Sequence, residues 1–471
     1  MTDPILPTAP AELPRTVAEL RASGHVYRTV KQELRENLLT CIRDRAPRFP
    51  GVLGYDDTVL PEVERALLAG HDMVLLGERG QGKTRVMRSL VSLLDEWTPV
   101  ITGSELNEHP YHPITPASRR LADERGDDLP IVWRHRSLRY GEKLATPDTS
   151  VGDLIGDVDP IRVAQGRTLG DPETIHFGLV PRTNRGIFAV NELPDLAERI
   201  QVSLLNVLEE RDIQVRGYQL RLPLDLLLVV SANPEDYTNR GRIITPLKDR
   251  FGAEIRTHYP LDLDLEVALI RQEAQLVAPV PDHLLDVVAR FTRAVRESPS
   301  VDARSGVSAR FAIAAAETVA AGALRRSGLL GEDEAVARIG DTASVTSTLR
   351  GKVEFESGEE GREVEILAHL LRTATAETFR ARLAGLDLSG FTTLVADGEI
   401  IETGELVTAD ELLRQIGPVP GLAKVLERLG LDDAPTRGEA AAAVEFVLEG
   451  LHLIRRLSKE QTNDGRTLYG S

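Results

Sequence analysis

The chain has 471 residues, of which 42% are hydrophobic and 4% aromatic, and its formal net charge is −17. That charge argues against a general nucleic-acid binder, and the length suffices for about three domains. A single cysteine, Cys41, excludes an internal disulfide framework and any multi-cysteine metal site. The first residues do not form a basic and then apolar leader, and no run reaches the roughly 18 apolar residues of a membrane span. We therefore expect a cytoplasmic protein.

The first elements predict an N-terminal helical extension at residues 1–45, followed by an α/β domain. A helix is expected at 61–68, ending at Gly70, and a buried strand at Met73–Leu76. This strand leads directly into a segment that fits G-x-x-x-x-G-K-[ST], the phosphate-binding loop of nucleotide triphosphatases. Its members are Gly77, Glu78, Arg79, Gly80, Gln81, Gly82, Lys83 and Thr84.

These residue types have physical reasons to occur together. Glycines let successive backbone N–H groups point at phosphate oxygens, which a Cβ would obstruct. Lys83 can reach the β- and γ-phosphates, and the Thr84 hydroxyl can ligate Mg²⁺. Apolar residues in the following segment predict a helix whose N-terminus faces the phosphates. The loop therefore predicts binding of ATP with Mg²⁺.

Further along the chain, residues 99–185 are polar and rich in proline, and we expect them to form an insertion. Buried strands are predicted at 186–190 and 226–230, with a helix at 196–210 and a hairpin at 212–222 that turns at Gly217. Helices are expected at 263–276, 282–296 and 308–324, then an acidic linker at 354–365 and more helices in the last hundred or so residues.

Two strand ends carry candidate catalytic groups. Asn191 and Glu192 end the strand at 186–190, on the edge where open α/β sheets bind ligands. Glu192 would be the general base for water, and Asn191 stands where an aspartate usually holds a Mg²⁺-bound water. An amide accepts that hydrogen bond but adds no charge. Asn233 ends the strand at 226–230 and can contact the γ-phosphate. The alternatives are a solvent-facing glutamate and a turn-forming Asn-Pro pair.

Two arginines complete the set of candidates. Arg250, in Leu247-Lys248-Asp249-Arg250-Phe251, is a candidate arginine finger that would stabilise transition-state charge in a neighbouring subunit. A surface ion pair with Asp249 is the alternative. Ser308 caps a predicted helix, and Arg310 lies in its first turn.

The set as a whole resembles the AAA+ superfamily, in the branch of the magnesium chelatase small ATPase subunit and the MoxR-like ATPases. The resemblance covers about residues 46–345. The stretches that carry it are Gly51-Val52-Leu53-Gly54-Tyr55, Asn184-Arg185-Gly186-Ile187-Phe188, the hairpin and Leu247-Lys248-Asp249-Arg250-Phe251.

The resemblance implies a P-loop core with a parallel sheet at 46–260 and a helical lid at 261–345. It does not account for residues 346–471, which we expect to form a mostly helical C-terminal extension. It assigns Asn233 as sensor 1, Arg250 as the arginine finger and Arg310 as sensor 2, acting in its own or a neighbouring subunit. The hairpin would face the pore of a homo-oligomeric ring, expected to be a hexamer.

The same resemblance implies a partner protein with a von Willebrand factor A domain. Its D-x-S-x-S motif is not matched here, because Asp387-Leu388-Ser389 lacks the second serine, so that domain would lie on a separate chain. The function expected is an ATP-driven motor for metal insertion or protein remodelling. The alternatives are a nucleic-acid or transcription-associated ATPase, although the sequence has no G-A-F-T-G-A loop, and a nucleotide-gated scaffold with little turnover, suggested by Asn191.

Two weaker signals remain. Glu105, Glu108, His109 and His112 could ligate a divalent metal, although a structural role is expected of two histidines in a proline-rich loop. A basic run around Trp133 and Tyr140 contains Arg134, His135, Arg136, Arg139 and Lys143. We expect it to be a solvated face that balances nearby acidic residues, and the alternative is contact with the acidic surface of a partner or with a nucleic acid.

Overall fold

The computed structural model describes residues 7–159, 174–209, 212–215, 218–234, 242–302, 306–396, 400–431, 434–462 and 465–470. For residues 208, 209, 212–215, 218–221 and 396 it describes the backbone alone. The chain divides into two compact units, Met1–His258 and Tyr259–Ser471, here called the N-terminal and C-terminal units. Among the described residues, no helix is both long and apolar enough to cross a bilayer.

The N-terminal unit is an α/β structure. Its helices are α1 (Val17–Ala22), α2 (Val30–Arg43), α3 (Val59–Ala69), α4 (Lys83–Ser89), α5 (Pro116–Arg125), α6 (Val151–Leu154), α7 (Leu179–Arg182), α8 (Glu198–Glu209) and α9 (Thr245–Arg250). Its strands are β1 (Met73–Leu76), β2 (Trp97–Ile101), β3 (Ile131–His135), β4 (Tyr140–Leu144), β5 (Gly156–Val158), β6 (Ile175–Phe177), β7 (Gly186–Asn191), β8 (Asp212–Val215), β9 (Tyr218–Arg221), β10 (Leu226–Ala232) and β11 (Ala253–Arg256).

Five of these strands form one parallel sheet in the order β11-β1-β10-β7-β4. The strand order reverses beside β1, which is where such sheets bind ligands at their carboxyl edge. Strands β1, β7 and β10 are buried along their whole length because apolar side chains cover both faces of the sheet. The predicted α/β fold with a parallel sheet is confirmed.

The predicted insertion at 99–185 contains more of the fold than expected. It supplies the antiparallel pair β2–β3 and the pair β5–β6, and its strand β4 joins the central sheet beside β7. An edge strand pairs on one side only and tolerates polar residues, so Tyr140-Gly141-Glu142-Lys143-Leu144 gave no apolar run to recognise.

The hairpin is present as β8 paired antiparallel with β9. Its predicted turn at Gly217 lies outside the described residues. The predicted helix at 61–68 is α3, which runs to Ala69 and ends on Gly70 in the left-handed conformation.

The C-terminal unit is mainly helical, as predicted. Its helices are α10 (Leu263–Glu273), α11 (Asp282–Glu297), α12 (Ala309–Leu330), α13 (Ala343–Leu349), α14 (Glu363–Arg382), α15 (Ser389–Ala396), α16 (Ala409–Ile416), α17 (Leu422–Arg428) and α18 (Arg437–Leu453). It also contains an unpredicted antiparallel sheet with the order β12 (Ile401–Gly404), β14 (Arg466–Gly470) and β13 (Ser458–Gln461).

One hydrophobic core runs through this unit, from Val267 on α10 to Tyr469 on β14. It includes residues from both the predicted lid at 261–345 and the predicted extension at 346–471. The predicted boundary between lid and extension at residue 345 stays a prediction. Described residues on both sides of it belong to this one core.

Candidate nucleotide-binding site

The predicted phosphate-binding loop lies between β1 and α4, at the carboxyl edge of the sheet. Gly80 and Gly82 have φ values of +75° and +77°, the left-handed region that glycine adopts without strain. A Cβ at Gly77 would lie 1.9 Å from the Thr257 hydroxyl, so the strand exit has no room for a side chain. Thr257 Oγ1 also donates to Gln81 Oε1 at 2.8 Å, which braces the loop against the residue that follows β11.

Lys83 ties this loop to the end of β10. Its Nζ donates to Asn233 Oδ1 at 2.7 Å, to the Glu78 carbonyl at 2.9 Å and to the Gly77 carbonyl. The ammonium is thus buried among oxygen acceptors directly behind the loop. A nucleotide phosphate offers the same kind of acceptor, so the donor set fits an anion held by the loop.

Thr84 and Asn191 meet at the same edge. Thr84 Oγ1 donates to Asn191 Oδ1 at 2.9 Å, which joins the first turn of α4 to the end of β7. Hydroxyl and amide oxygens are ligands, direct or through water, that Mg²⁺ accepts. The two residues predicted to serve a metal are therefore adjacent, and their chemistry fits the ion.

A carboxylate that the sequence did not point to lies beside them. Glu142, on β4, accepts a hydrogen bond from Asn191 Nδ2 at 2.7 Å, and Arg88 binds it through Nε at 2.8 Å and Nη2 at 3.0 Å. Burial opposes its ionisation, but the hydrogen bonds and charge of Arg88 outweigh burial and lower the pKa of Glu142. The carboxylate is therefore ionised at neutral pH.

Glu192 follows β7 in an unusual conformation. Its φ and ψ are 56° and 48°, in the left-handed region that few residues other than glycine adopt. Its backbone N–H donates to Ser231 Oγ at 3.2 Å, and its Oε2 accepts from Asn233 Nδ2 at 2.6 Å. Asn233 therefore contacts both the loop lysine and the candidate general base.

The structure brings together five predicted residues. The five are Lys83, Thr84, Asn191, Glu192 and Asn233. Arg250 is the last residue of α9 in the N-terminal unit and is exposed, and Arg310 is exposed in the first turn of α12 in the C-terminal unit. Ser308 Oγ caps that helix by accepting from the Arg310 backbone N–H at 3.1 Å. The roles of all seven stay predictions.

Two members of the weaker metal signal, Glu108 and His109, have structural contacts. Among the described residues, no group of three or more His, Cys, Asp or Glu side chains is placed to hold a metal ion. Glu108 is buried and accepts from the Thr115 backbone and from the Ser118 hydroxyl at the start of α5. His109 is buried against the ring of His25, with 3.1 Å between their Nε2 atoms.

The basic run is not simply a solvated face. Arg139 is 2% exposed and forms a bidentate ion pair with Glu33 of α2, at 2.6 and 2.7 Å. The neighbouring Arg136 donates to the carbonyl of Ser92 at 3.1 Å. The expectation was wrong for Arg139 because its partner lies 106 residues earlier in the chain, beyond the reach of local sequence reasoning.

Sequence comparison finds relatives of this chain among the magnesium-chelatase subunits. The chain is 28% identical over 233 residues to a chloroplastic magnesium-chelatase subunit ChlI-1 from Arabidopsis thaliana, covering 48% of this chain and 51% of that subunit. It is 28% identical over 208 residues to ChlI from Guillardia theta, covering 43% and 55%, and 27% identical over 215 residues to ChlI from Anabaena variabilis, covering 45% and 60%. The chain thus spans 51–60% of the length of these relatives.

This similarity supports an AAA+ ATPase of the magnesium-chelatase and MoxR-like branch.

No protein-family model matches the chain. A BchI–BchD complex of magnesium chelatase, based on a single-particle cryo-EM reconstruction, superposes with a TM-score of 0.36 at 20% identity, covering 68% of this chain and 98% of that one. The Thermotoga maritima RuvB branch-migration motor superposes with a TM-score of 0.34 at 13% identity, covering 92% and 95%.

Proposed function

We propose that this AAA+ protein binds ATP with Mg²⁺ and hydrolyses it to drive a change in a partner protein. The observation that supports this most is the hydrogen-bonded series from Lys83 through Asn233 to Glu192. Two hydrogen bonds join these three residues, to which we assign the roles of phosphate-binding cation, polar sensor and general base. Hydrolysis needs these groups together, since phosphoryl transfer relies on positioning and charge stabilisation.

In this proposal, each residue has one task. The loop amides and Lys83 hold the phosphates, while the Thr84 hydroxyl and Asn191 Oδ1 hold the metal or its water. Mg²⁺ supplies charge neutralisation of the phosphates when bound. Glu192 accepts a proton from the attacking water, and Asn233, now shared between Lys83 and Glu192, aligns that water with the γ-phosphate.

The working assembly we propose is a homo-oligomeric ring, expected to be a hexamer. Arg250 on the exposed end of α9 would reach the nucleotide of the adjacent subunit as the arginine finger. Arg310 would serve as sensor 2, in its own subunit or a neighbour. The β8–β9 hairpin would face the pore and act on the partner.

The matched proteins are subunits of magnesium chelatase, which supports a proposal that this chain also acts with a partner chain. From the family resemblance we propose a separate chain with a von Willebrand factor A domain, and either metal insertion or protein remodelling as the outcome. Copurification with this chain, followed by identification of the bound protein, tests the partner independently of ATP turnover.

Phosphate release tests the catalytic part of the proposal. We expect Lys83→Ala to abolish nucleotide binding, because the loop then lacks the ammonium that is placed to meet the β- and γ-phosphates. Glu192→Gln should keep binding and lose turnover by about 10²-fold or more, since the general base is removed. Glu198→Gln, an exposed carboxylate at the start of α8, is the matched control.

A nucleotide-gated scaffold is the second candidate, favoured by Asn191 where an aspartate is usual. The same measurement separates the two. If the wild type and Glu192→Gln both release phosphate at the background rate, the motor proposal is wrong and the scaffold proposal remains.

A further inference from the structure

We propose that Glu142 is a positioning residue for Asn191. From the neighbouring strand it supplies the carboxylate charge that Asn191 lacks, beside Thr84 and Asn191, where Mg²⁺ would bind. This inference rests on the proposed function. It concerns a residue outside the phosphate-binding loop and outside both strand-end motifs. Its basis is the hydrogen-bonded series Arg88–Glu142–Asn191–Thr84.

Strand register places the two side chains together. In the parallel pair β4–β7, Glu142 lies opposite Ala189, and Leu144 lies opposite Asn191. Because residues two apart in a strand share a face, Glu142 and Asn191 are diagonal neighbours on the same face of the sheet. This is where the 2.7 Å hydrogen bond forms.

The polarity of that bond fixes how the amide points. Both oxygens of Glu142 accept from Arg88, and Oε1 also accepts from Asn191, so the Nδ2 group of Asn191 faces the carboxylate. Asn191 Oδ1 is then turned toward the hydroxyls of Thr84, at 2.9 Å, and Ser231, at 3.4 Å. The hydrogen bond to Glu142 thereby orients the Asn191 amide so that its Oδ1, and not its Nδ2, faces Thr84.

The same geometry explains why residue 191 is not an aspartate. A carboxylate there would set two acceptors against each other at the 2.7 Å now bridged by the amide N–H. Like charges at this distance repel, and neither could donate. The negative charge is instead one strand further out, where Arg88 holds it from the solvent side with a 62% exposed side chain. Asn191 and Glu142 therefore act as a pair that replaces one aspartate.

The pair can be tested by exchanging its members. The variants are Glu142→Gln, Asn191→Asp and the double variant, with Glu64→Gln as matched control. Glu64 is also a partly buried carboxylate paired with an arginine, Arg48, and it lies on α3 rather than in the phosphate-binding loop or at the strand ends of the candidate site. The readout is the affinity of a fluorescent, non-hydrolysable ATP analogue, measured with Mg²⁺ and again with EDTA.

We expect Glu142→Gln to lose about 10-fold or more of the affinity gained from Mg²⁺, the usual scale for outer-sphere partners of metal ligands, while the EDTA affinity is unchanged. Asn191→Asp should lose a similar amount, because its carboxylate faces Glu142. The double variant should recover most of the Mg²⁺ effect, since one carboxylate and one amide are again present.

Two outcomes would overturn the inference: an unchanged Mg²⁺ effect in Glu142→Gln, or an equal loss of affinity with Mg²⁺ and with EDTA, which would indicate a structural role. If Glu142→Gln does not fold, Glu142→Asp keeps the charge and withdraws the carboxylate from Asn191, and it should lose the Mg²⁺ effect as well; an unchanged effect there overturns the inference too. Failure of the proposed function is recognised separately, by the absence of phosphate release from the wild type.

Discussion

At the scale of single residues, the candidate site depends on side chains with more than one partner. Glu192 keeps a left-handed backbone, which costs about 1–3 kcal/mol, while Ser231 accepts from its N–H and Asn233 donates to its carboxylate. Asn233 also accepts from Lys83. A phosphate group that draws Lys83 toward it therefore changes the partner of Asn233, and through it the setting of Glu192.

His109 gives the residue scale a pH prediction. Burial, helped by the charge of Arg185 and by His25, lowers the pKa of His109 to about 2 from its ordinary 6.5. Between these values the unfolded chain binds a proton that the folded chain does not. The stability due to neutral His109 is therefore complete above pH 6.5 and falls below it, by about 1.4 kcal/mol per pH unit.

We expect His109→Gln to flatten this acid dependence between pH 6.5 and 4.5. Both tryptophans of the chain, Trp97 and Trp133, lie in the N-terminal unit, so urea unfolding followed by tryptophan fluorescence reports that unit. The control is His369→Gln, an exposed histidine of the C-terminal unit. Parallel pH curves for wild type and His109→Gln would contradict the assignment.

At the scale of elements, α2 is fixed to the start of β4 by the ion pair of Glu33 and Arg139, whose side chains are 2% and 1% exposed. Arg139 Nε also donates to the Arg185 carbonyl at 2.7 Å, and Glu33 Oε1 accepts from the Asp95 backbone. Both charges are thus paired and hydrogen-bonded, the condition under which buried ions are tolerated.

Removing one charge of this pair should be costly. We expect Glu33→Gln to lower the free energy of unfolding of the N-terminal unit by about 3 kcal/mol, because the Arg139 guanidinium is left buried without its counter-ion. Glu64→Gln, which breaks the less buried pair with Arg48, should cost at most about 1 kcal/mol. Urea unfolding followed by tryptophan fluorescence measures both.

A double change provides the second arm of this experiment. Glu33→Leu with Arg139→Met removes both charges and keeps apolar volume, and it should recover much of the lost stability. Equal losses in Glu33→Gln and Glu64→Gln would show that burial of the first pair adds nothing.

Elements also show how far sequence reasoning reaches. Strands β1, β7 and β10 were predictable because a parallel strand buried on both faces is a continuous apolar run. Strands β4 and β11 form the two edges of the sheet, and their short, polar sequences carry no such run. Glu142 was missed for this reason: the sequence offered a lost carboxylate at Asn191 but nothing to say which strand would lie beside it.

At the scale of the whole molecule, the acidic charge of −17 and the proposed need for a second subunit at the site bear on function. The charge opposes electrostatic capture of nucleic acids, the basis of non-specific binding. The exposure of Arg250 fits a role between copies of the chain.

The proposed ring leads to a complementation prediction. We expect Arg250→Ala to bind ATP normally and to lose turnover by about 10³-fold or more, as for other arginine fingers. Mixed with Glu192→Gln, which keeps its arginine but lacks its base, it should regain phosphate release, because each defect then lies in a different subunit. Normal turnover of Arg250→Ala alone, or no recovery on mixing, would show that Arg250 does not act in trans.

The ion pair of Glu33 and Arg139 has a consequence for anyone who edits the gene. A protein trimmed to begin at residue 46, where the family resemblance starts, would lack Glu33. It would leave the charge of Arg139 buried without its counter-ion. The cut that looks safest from the sequence is thus the one most apt to yield insoluble material. A substitution at Glu33 or Arg139 alone is therefore expected to destabilise the N-terminal unit more than a substitution of both.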